Sequence, residues 1–225
     1  MSKKKVSFFP LKTEAGEYLQ NIENVWEKHP RPQLGRENWY SLNGTWELDG
    51  NPIRVPFVPE SQLSGYRGEI KKRMTYRKCF VNPGFQKRGR ILLHFQAVDQ
   101  LAEVYLNDVY LGKHEGGYAP FFFDITEVLK EEENCLTVNV VDELNYEYPY
   151  GKQCKKRGGM WYTSTSGIWQ SVWLEQVPET YISSMKLTPD LQGLNVSLEF
   201  NQVREDITVF AEICLHTGDV YKCEW

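Results

Sequence analysis

Large aromatic rings and small hydroxyl side chains are close together in the segment GGMWYTSTSGIWQSVWLE, residues 158–175. Trp161 and Tyr162 follow a glycine pair, and this arrangement predicts exposed rings on an adaptable loop. Sugar rings stack their flat C–H faces on aromatic rings, while their hydroxyls need hydrogen-bond partners such as Thr and Ser. The segment therefore makes Trp161 and Tyr162 candidates for contact with a saccharide, and a lid over a partner is the alternative.

Two further tryptophans lie in IWQSVWLEQV, residues 168–177, which we interpret as one strand. Residues four apart on a strand point to the same face, so we expect Trp169 and Trp173 side by side. Ile168 and Val172 point to the opposite face. A strand that is apolar on both faces is a buried central strand, so these two tryptophans are predicted to be core residues.

A long polar segment, residues 143–160, precedes the aromatic residues, and loops of more than about 12 residues are often functional. Its part YGKQCKKRGG can act as a basic loop that meets an acidic sugar or a carboxylate, through Lys152 and Gln153 first of all. The alternative is a solvated charge run, which we favour for Lys155 and Lys156; Arg157 follows them.

His114 lies among turn glycines in GKHEGGYAPF, residues 112–121. A histidine bonded to backbone in a tight loop is the structural interpretation, and a role in a pocket is the alternative.

Several acidic residues have the right chemistry for acid–base catalysis, but structural explanations are favoured over it. Asp99 ends a strand, where its carboxylate can bond backbone amides of a turn. Glu103 lies on the polar face of an alternating strand, and Asp124 can cap the turn that follows it. We therefore predict no catalytic residue among the acidic candidates, which are Asp99, Glu103, Asp108, Glu115 and Asp124.

The elements that must position these residues are mostly short strands, because apolar residues recur with a period of two. Asn43-Gly44 predicts a hairpin within residues 39–48, and the two prolines of IRVPFVPE, residues 53–60, predict an edge strand or loop. One helical turn is expected near residues 18–25. The fold class is therefore predicted to be all-β, a jelly-roll β-sandwich.

Three regions are expected along the chain: an N-terminal arm at 1–30, the jelly roll at 31–177, and a further β region at 178–225. The last region has about four strands, fewer than the seven or so of an immunoglobulin-like sandwich, so we interpret it as part of one. The strand pattern continues to Trp225, which suggests a larger protein.

Composition excludes several classes of function. The net charge of −4 lacks the basic excess that nucleic acid or an anionic membrane requires, and no apolar run approaches a membrane helix. Five cysteines without a CxxC spacing favour neither a zinc site nor a full disulfide framework. We found no signal-peptide pattern and expect a cytoplasmic chain with reduced cysteines, no metal and no cofactor.

A series of segments resembles glycoside hydrolase family 2, the family of β-galactosidases, β-glucuronidases and β-mannosidases. The resemblance covers about residues 31–177 and implies the family's sugar-binding jelly roll, followed by the start of its immunoglobulin-like domain. The matching segments are RPQLGRENWYSLNGTWEL, IRVPFVPES, YRKCFVNP, ILLHFQAVDQLAEVYLNDVYLGKHEGGYAPFFFDIT, LTVNVVD, YGKQ and GGMWYTSTSGIWQSVWLE.

In this family the two catalytic carboxylates lie in a (β/α)8 barrel that follows the immunoglobulin-like domain. The resemblance thus implies a barrel as the partner of this chain, and a β-linked saccharide as the ligand. Lys152 and Gln153 belong to the matching YGKQ, and the FVPES loop is expected to approach the barrel through Glu60 or Ser61. Several relatives place an aspartate over the sugar at the position that is Trp161 here.

Three hypotheses follow. The chain is the non-catalytic N-terminal portion of a retaining β-glycosidase, inactive alone; or it is a stand-alone carbohydrate-binding module; or it is a structural β-sandwich that mediates assembly. Hydrolysis by the chain alone would contradict the first hypothesis, whereas glycan binding by the isolated sandwich would favour the second.

Overall fold

The computed structural model describes residues 13–21, 26, 28–86, 88–144, 147–156 and 158–224. Two compact units divide the chain, Met1–Glu179 and Thr180–Trp225. Within the described residues nearly all regular structure is β, and none of the helices is long and apolar enough to cross a membrane. The fold class predicted from the sequence, all-β, is confirmed.

The first unit contains one α-helix, α1 (Glu14–Asn21), and two single turns of 3-10 helix, Pro32–Leu34 and Gln62–Ser64. Its described strands are β1 (Trp39–Ser41), β2 (Gly44–Leu48), β3 (Asn51–Val55), β4 (Arg73–Val81), β5 (Arg90–Phe95), β6 (Val98–Asp99), β7 (Leu101–Leu106), β8 (Val109–Glu115), β9 (Phe121–Asp124), β10 (Glu133–Val141), β11 (Gln153–Cys154), β12 (Tyr162–Thr163), β13 (Gly167–Ile168) and β14 (Val172–Val177).

Two antiparallel sheets form a β-sandwich. The four-stranded sheet has the order β1-β14-β5-β9, and the six-stranded sheet has the order β3-β2-β4-β10-β7-β8. Alternate side chains of the six-stranded sheet are buried, as a sheet with one solvated face requires. Both sheets contribute to one core, whose members include Trp46, Leu48, Tyr76, Leu93, Phe95, Val104, Leu106, Leu136, Val138, Val172 and Leu174.

The hairpin predicted at Asn43-Gly44 is wrong. β1 pairs with β14 in one sheet, whereas β2 pairs with β3 in the other, so the chain crosses between the sheets at this point. Asn43 stabilises the crossing, because its Oδ1 accepts from the backbone N–H of Val172 at 3.0 Å and its Nδ2 donates to Ser171. The hairpin turn lies instead at Asp49-Gly50, where both residues have positive φ.

The other local predictions fare better. β3 has a single partner strand and is an edge, as its prolines indicate. β7 and β8 meet in a hairpin at Asn107-Asp108, with φ of 53° and 65°. α1 includes the expected turn at Tyr18 but begins earlier, while residues 22–25 of that prediction lie outside the described residues.

In the four-stranded sheet, the central strand β14 is buried on both faces. On the face away from the core, Trp173 is fully buried and its ring stacks on His94 at a centroid distance of 4.8 Å. The Nε2 atom of His94 lies 2.9 Å from a carboxylate oxygen of Glu175. His29 and Arg36, from the segment before β1, lie within 3.9 Å of the other oxygen of Glu175.

The buried charge of Glu175 depends on these partners. Burial alone would raise the pKa of Glu175, but the hydrogen bond from His94 and nearby positive charge lower it overall. Burial lowers the pKa of His94 and so favours the neutral ring, whose Nε2 faces the carboxylate. A carboxylate at 3% exposure is tolerated in this way because it is paired on two sides.

The structure departs from the expectation that all cysteines are reduced. Cys79 and Cys135 face each other across β4 and β10 and form a disulfide, with their Cα atoms 4.3 Å apart. A sequence separation of 56 residues conceals this pair, because only the strand register makes the two residues neighbours. Cys154, Cys214 and Cys223 are free.

The second unit consists, in its described residues, of two antiparallel hairpins. β15 (Ile182–Pro189) pairs with β16 (Leu194–Phe200), and β17 (Phe210–Cys214) pairs with β18 (Val220–Glu224). Strands of this unit are largely exposed on both faces.

Replacing Glu175 by alanine should lower the free energy of unfolding by about 3 kcal/mol or more, because it removes the shared partner of a buried ionic cluster. Urea denaturation measures this. Glu143→Ala is the matched control, since the ion pair of Glu143 with Lys72 is exposed, and its loss should cost less than about 1 kcal/mol. Equal losses in the two variants would show that the cluster contributes no more than a surface pair.

Candidate functional site

A short parallel ladder positions the aromatic loop. β11 pairs with β12 so that Gln153 lies opposite Tyr162, and the backbone N–H of Tyr162 donates to the carbonyl of Lys152 at 2.9 Å. A second bond, from the N–H of Trp161 to the carbonyl of Gly158 at 3.2 Å, closes the turn before β12. The long polar segment and the aromatic residues thus form one structure, called here the aromatic loop (residues 147–166).

Three of the residues predicted from sequence, Lys152, Trp161 and Tyr162, are exposed on this loop. Trp161 is 44% exposed and Tyr162 is 66% exposed, so both rings are accessible. The ammonium of Lys152 lies 5.9 Å from the centroid of the Tyr162 ring, within reach of a cation–π interaction. Aromatic rings can stack on a sugar ring, while a neighbouring ammonium group donates hydrogen bonds to the sugar oxygens. The neighbours Lys155 and Lys156 are exposed, and Arg157 lies outside the described residues.

The side chain of Gln153 forms hydrogen bonds within the loop. Its Nε2 donates to the carbonyl of Tyr150 at 2.6 Å, and its Oε1 accepts from the backbone N–H of Thr165 at 2.7 Å. These bonds span the loop from one side to the other. Both ends of the amide are therefore used to hold the loop.

Glu60 fixes the end of the loop to the sandwich. One carboxylate oxygen accepts from the hydroxyl of Ser166 at 2.7 Å, and the other accepts from the backbone N–H of Ser166 at 3.2 Å. Burial raises the pKa of Glu60, and the Ser166 hydrogen bonds only partly oppose this. Glu60 is therefore placed at the base of the loop rather than on its accessible surface.

Asp99 is a buried residue whose importance the sequence did not reveal. It was expected to bond turn amides, but it is 5% exposed and its Oδ1 has no hydrogen-bond partner in the described part of the chain. Burial raises its pKa to about 7, the charges of Asp142 and Glu60 add to the shift, and a hydrogen bond with Gln153 opposes it.

Together Glu60, Asp99 and Asp142 form an acidic cluster beneath the loop. Burial raises the pKa of Asp142 as well, although its carboxylate accepts from the N–H of Leu144 at 2.9 Å. A pocket of about 300 Å³ opens beside the cluster, lined by Glu60, Ile70, Lys71, Lys72, Asp142, Glu143, Leu144, Lys155, Ser164, Thr165 and Ser166. No group of acidic, Cys or His residues in the described ranges is placed to hold a metal ion.

Two other candidates lie away from the loop. The Ser61 hydroxyl accepts from the N–H of Leu63 at 3.2 Å and caps the 3-10 turn that follows, which is a local structural role. His114 lies on β8, where its ring stacks on Phe121 at a centroid distance of 4.2 Å. Burial lowers the pKa of His114, so its ring is neutral at pH 7.

The prediction that Trp169 and Trp173 share one strand face is wrong. The strand is interrupted between β13 and β14, and Trp169 lies in the interruption, half-buried. Its indole N–H donates to the carbonyl of Gly117 at 2.8 Å. Only Trp173 is a fully buried residue, so the interpretation as core holds for that tryptophan.

The structural explanations of Glu103 and Asp124 are confirmed. Glu103 is exposed on β7. One oxygen of Asp124 accepts from the N–H of Thr126 at 3.0 Å, and the other pairs with Arg90 at 2.7 Å. Retaining glycoside hydrolysis uses two carboxyl groups about 5 Å apart that flank the scissile bond. Glu60 braces the loop through Ser166, and Asp124 is an ion-pair partner of Arg90.

The sandwich and its aromatic loop are those of a carbohydrate-associated β domain, and comparison with known proteins defines it further. The family described as "Glycosyl hydrolases family 2, sugar binding domain" matches residues 52–178, more than half of the chain. The chain belongs to this family.

Among similar proteins, a β-glucuronidase of Formosa agariphila is 31% identical over 142 residues, which are 61% of this chain and 14% of that protein. A β-galactosidase of Thermoanaerobacter pseudethanolicus is 33% identical over 117 residues, 51% of this chain and 15% of that protein. The chain therefore spans a small part of the length of these relatives.

Solved structures show the same fold. A β-glucuronidase from Ruminococcus gnavus, in complex with D-glucuronic acid, superposes with a TM-score of 0.67 and 20% sequence identity. The superposition covers 85% of this chain and 39% of that one.

Gly167 tests how the loop is attached to the sandwich. Its φ is +79°, and an added Cβ would overlap the hydroxyl of the buried Tyr76. Gly167→Ala should therefore lower the free energy of unfolding by about 2 kcal/mol or more. The control is Gly158→Ala, because an added Cβ there meets no atom within 4 Å. Urea denaturation of both variants measures the change. An unchanged free energy of unfolding in Gly167→Ala would contradict the close approach of Gly167 to Tyr76.

The raised pKa of Asp99 predicts a pH dependence. With a folded pKa of about 7 against an ordinary 3.8, the folded protein holds a proton that the unfolded chain has lost. The stabilisation that this proton brings is lost as pH rises through 7. Asp99→Asn removes the dependence, so the stability of the variant relative to wild type should rise between pH 5 and pH 8.

Asp124→Asn is the control for Asp99→Asn. The pKa of Asp124 is lowered, since hydrogen bonds from Thr126 and Arg90 overcome the effect of burial, so its difference from wild type should be flat over that range. Denaturation curves at both pH values give the comparison, and a flat difference for Asp99→Asn would show that its carboxyl titrates in its ordinary range.

Proposed function

We propose that this chain is the N-terminal, non-catalytic portion of a retaining family 2 β-glycosidase. The observation that carries the proposal is the family match over residues 52–178, which covers both sheets' central strands and the aromatic loop. The named relatives are a β-glucuronidase and a β-galactosidase of which this chain spans 14% and 15%. In this proposal a catalytic barrel elsewhere in the same protein supplies the acid and the nucleophile.

The aromatic loop is the part that reaches the sugar. Trp161, Tyr162 and Lys152 are accessible on its outside, while Gln153, Glu60 and Ser166 hold it from within. Because these hydrogen bonds already hold the loop, its rings lose little conformational entropy when a ligand binds. The proposed ligand is a β-linked saccharide in a pocket shared with the barrel. Jelly roll and partial immunoglobulin-like domain together support that barrel.

A direct test compares the 225-residue chain with the longest protein encoded by its gene. The chain alone should not hydrolyse chromogenic β-galactosides, β-glucuronides or β-mannosides, whereas the longer protein should hydrolyse one of them. In the longer protein, Trp161→Ala should lower kcat/KM about fivefold, since stacking on an aromatic ring is worth on the order of 1 kcal/mol. Tyr40→Ala, which removes another exposed ring, is the control and should leave kcat/KM unchanged.

Turnover by the chain alone, abolished by replacing one of its own carboxylates, would overturn the proposal. Equal activity of the Trp161→Ala and wild-type proteins would remove the loop from the sugar pocket while leaving the supporting role of the sandwich.

A stand-alone carbohydrate-binding module is the second candidate, favoured by the accessibility of Trp161 and Tyr162 in this chain. Saccharide binding by the chain alone, rather than hydrolysis, distinguishes this candidate from the first. Titration of the chain with neutral and acidic β-linked oligosaccharides would then give saturable binding that Trp161→Ala abolishes.

A further inference from the structure

The outer face of the six-stranded sheet carries an ordered grid of side chains. β4, β10, β7 and β8 are neighbours, and their register aligns the outward-pointing residues in rows across the strands. The three rows, each in that strand order, are Arg73, Val141, Leu101 and Glu115; Thr75, Asn139, Glu103 and Lys113; and Arg77, Thr137, Tyr105 and Tyr110.

The first two rows surround a cavity of about 540 Å³, called here the outer-face pocket. This volume lies in the range of small-molecule sites, roughly 300–1,000 Å³. Residues between the rows, such as Met74, Ala102 and Val140, are buried in the core, so a packed layer forms the floor. The pocket therefore has a fixed base and a polar wall.

Some polar groups of the wall are already paired. The hydroxyl of Thr75 donates to Oδ1 of Asn139 at 3.0 Å, and Lys113 pairs with Glu115 at 2.8 Å. The hydroxyl of Tyr148 donates to the other oxygen of Glu115 at 3.1 Å, which closes one side.

Other polar groups of the wall remain available. In the part of the chain that the structure describes, neither the Arg73 guanidinium nor the Nδ2 amide of Asn139 has a hydrogen-bond partner. These are the donors that the pocket offers to a ligand, and the carboxylate of Glu103 provides an acceptor.

The charges of the lining balance. Arg73 and Lys113 contribute two positive charges and Glu103 and Glu115 contribute two negative charges, so neither an anion nor a cation is favoured. Leu101 and Val141 add apolar surface beside the polar groups. A neutral saccharide, with its hydroxyls and intervening C–H faces, matches a lining that is partly apolar and has balanced charges.

An aromatic platform adjoins the pocket. Tyr105 and Tyr110 occupy the next row of the same face, with ring centroids 5.2 Å apart, and Tyr110 is 53% exposed. A sugar that extends from the pocket along the strands would reach these rings, and stacking on them would add to the hydrogen bonds below.

We propose that the outer-face pocket binds a neutral oligosaccharide of at least two sugar rings, one held by Arg73 and Asn139 and the next stacked on Tyr110. The pocket is built on the strands of the six-stranded sheet, with Tyr148 of the aromatic loop at one side, and needs no barrel residue. It gives the chain a second saccharide site, suited to holding a glycan chain while the loop meets its end.

The test is isothermal titration of the 225-residue chain with neutral β-linked disaccharides and tetrasaccharides of glucose, galactose and mannose. Saturable binding to one of them is expected at up to 10 mM ligand, a range typical of weak single sites, on the order of Kd 1 mM. Arg73→Ala and Tyr110→Ala should each weaken it about tenfold. Arg204→Ala, an exposed arginine of the second unit, should leave it unchanged.

Each other outcome overturns the proposal. Loss of binding in Trp161→Ala with Arg73→Ala unaffected would assign the saccharide to the aromatic loop. Tighter binding of a uronic-acid oligosaccharide than of its neutral counterpart would refute the neutral class. A dimer in sedimentation velocity that Arg73→Ala dissociates would show that a second copy covers this face, and no binding by any ligand would remove the site. Thermal unfolding of each variant confirms that it is folded.

Discussion

The close approach of Gly167 to Tyr76 is the constraint on which the loop depends. Tyr76 is buried on β4, in the six-stranded sheet, whereas Gly167 begins β13, just before the chain enters the four-stranded sheet. The two sheets share one core. The backbone at position 167 passes so close to the Tyr76 hydroxyl that a Cβ there would overlap it, so the loop ends at a glycine. Ser166, one residue earlier, is held by Glu60, and this pair fixes the direction in which the loop leaves the sandwich.

Charge is divided between the inside and the outside of the loop. Acidic groups lie beneath it, where burial raises the pKa values of Glu60, Asp99 and Asp142. Aromatic and basic groups lie outside, where solvent reaches them. The carboxylate of Glu60 accepts hydrogen bonds from the hydroxyl and the N–H of Ser166 and so organises the end of the loop. In the four-stranded sheet, the carboxylate of Glu175 attaches the segment before β1 through His29 and Arg36.

Membership of the family of sugar-binding domains of glycosyl hydrolases family 2 fits this division of labour. In the proposed function, the sandwich supports a catalytic barrel elsewhere in the same protein. The two proposed sugar surfaces lie one on a loop and one on a sheet. They differ in origin, since the loop surface comes from local chain direction and the sheet surface comes from strand register.

Sequence alone determined the all-β class and strands such as β7, because side chains alternate between two faces and this period is visible in Ala102, Val104 and Leu106. It also determined the turn at Asn107-Asp108, the prolines' edge strand and the aromatic residues of the loop. The sequence did not reveal which of these elements pair with one another. The pairing of Cys79 with Cys135, the crossing at Asn43, the break at Trp169 and the burial of Asp99 all depend on contacts between residues far apart in the chain. Only packing decides these, because register and burial are properties of the closed sandwich rather than of any one segment.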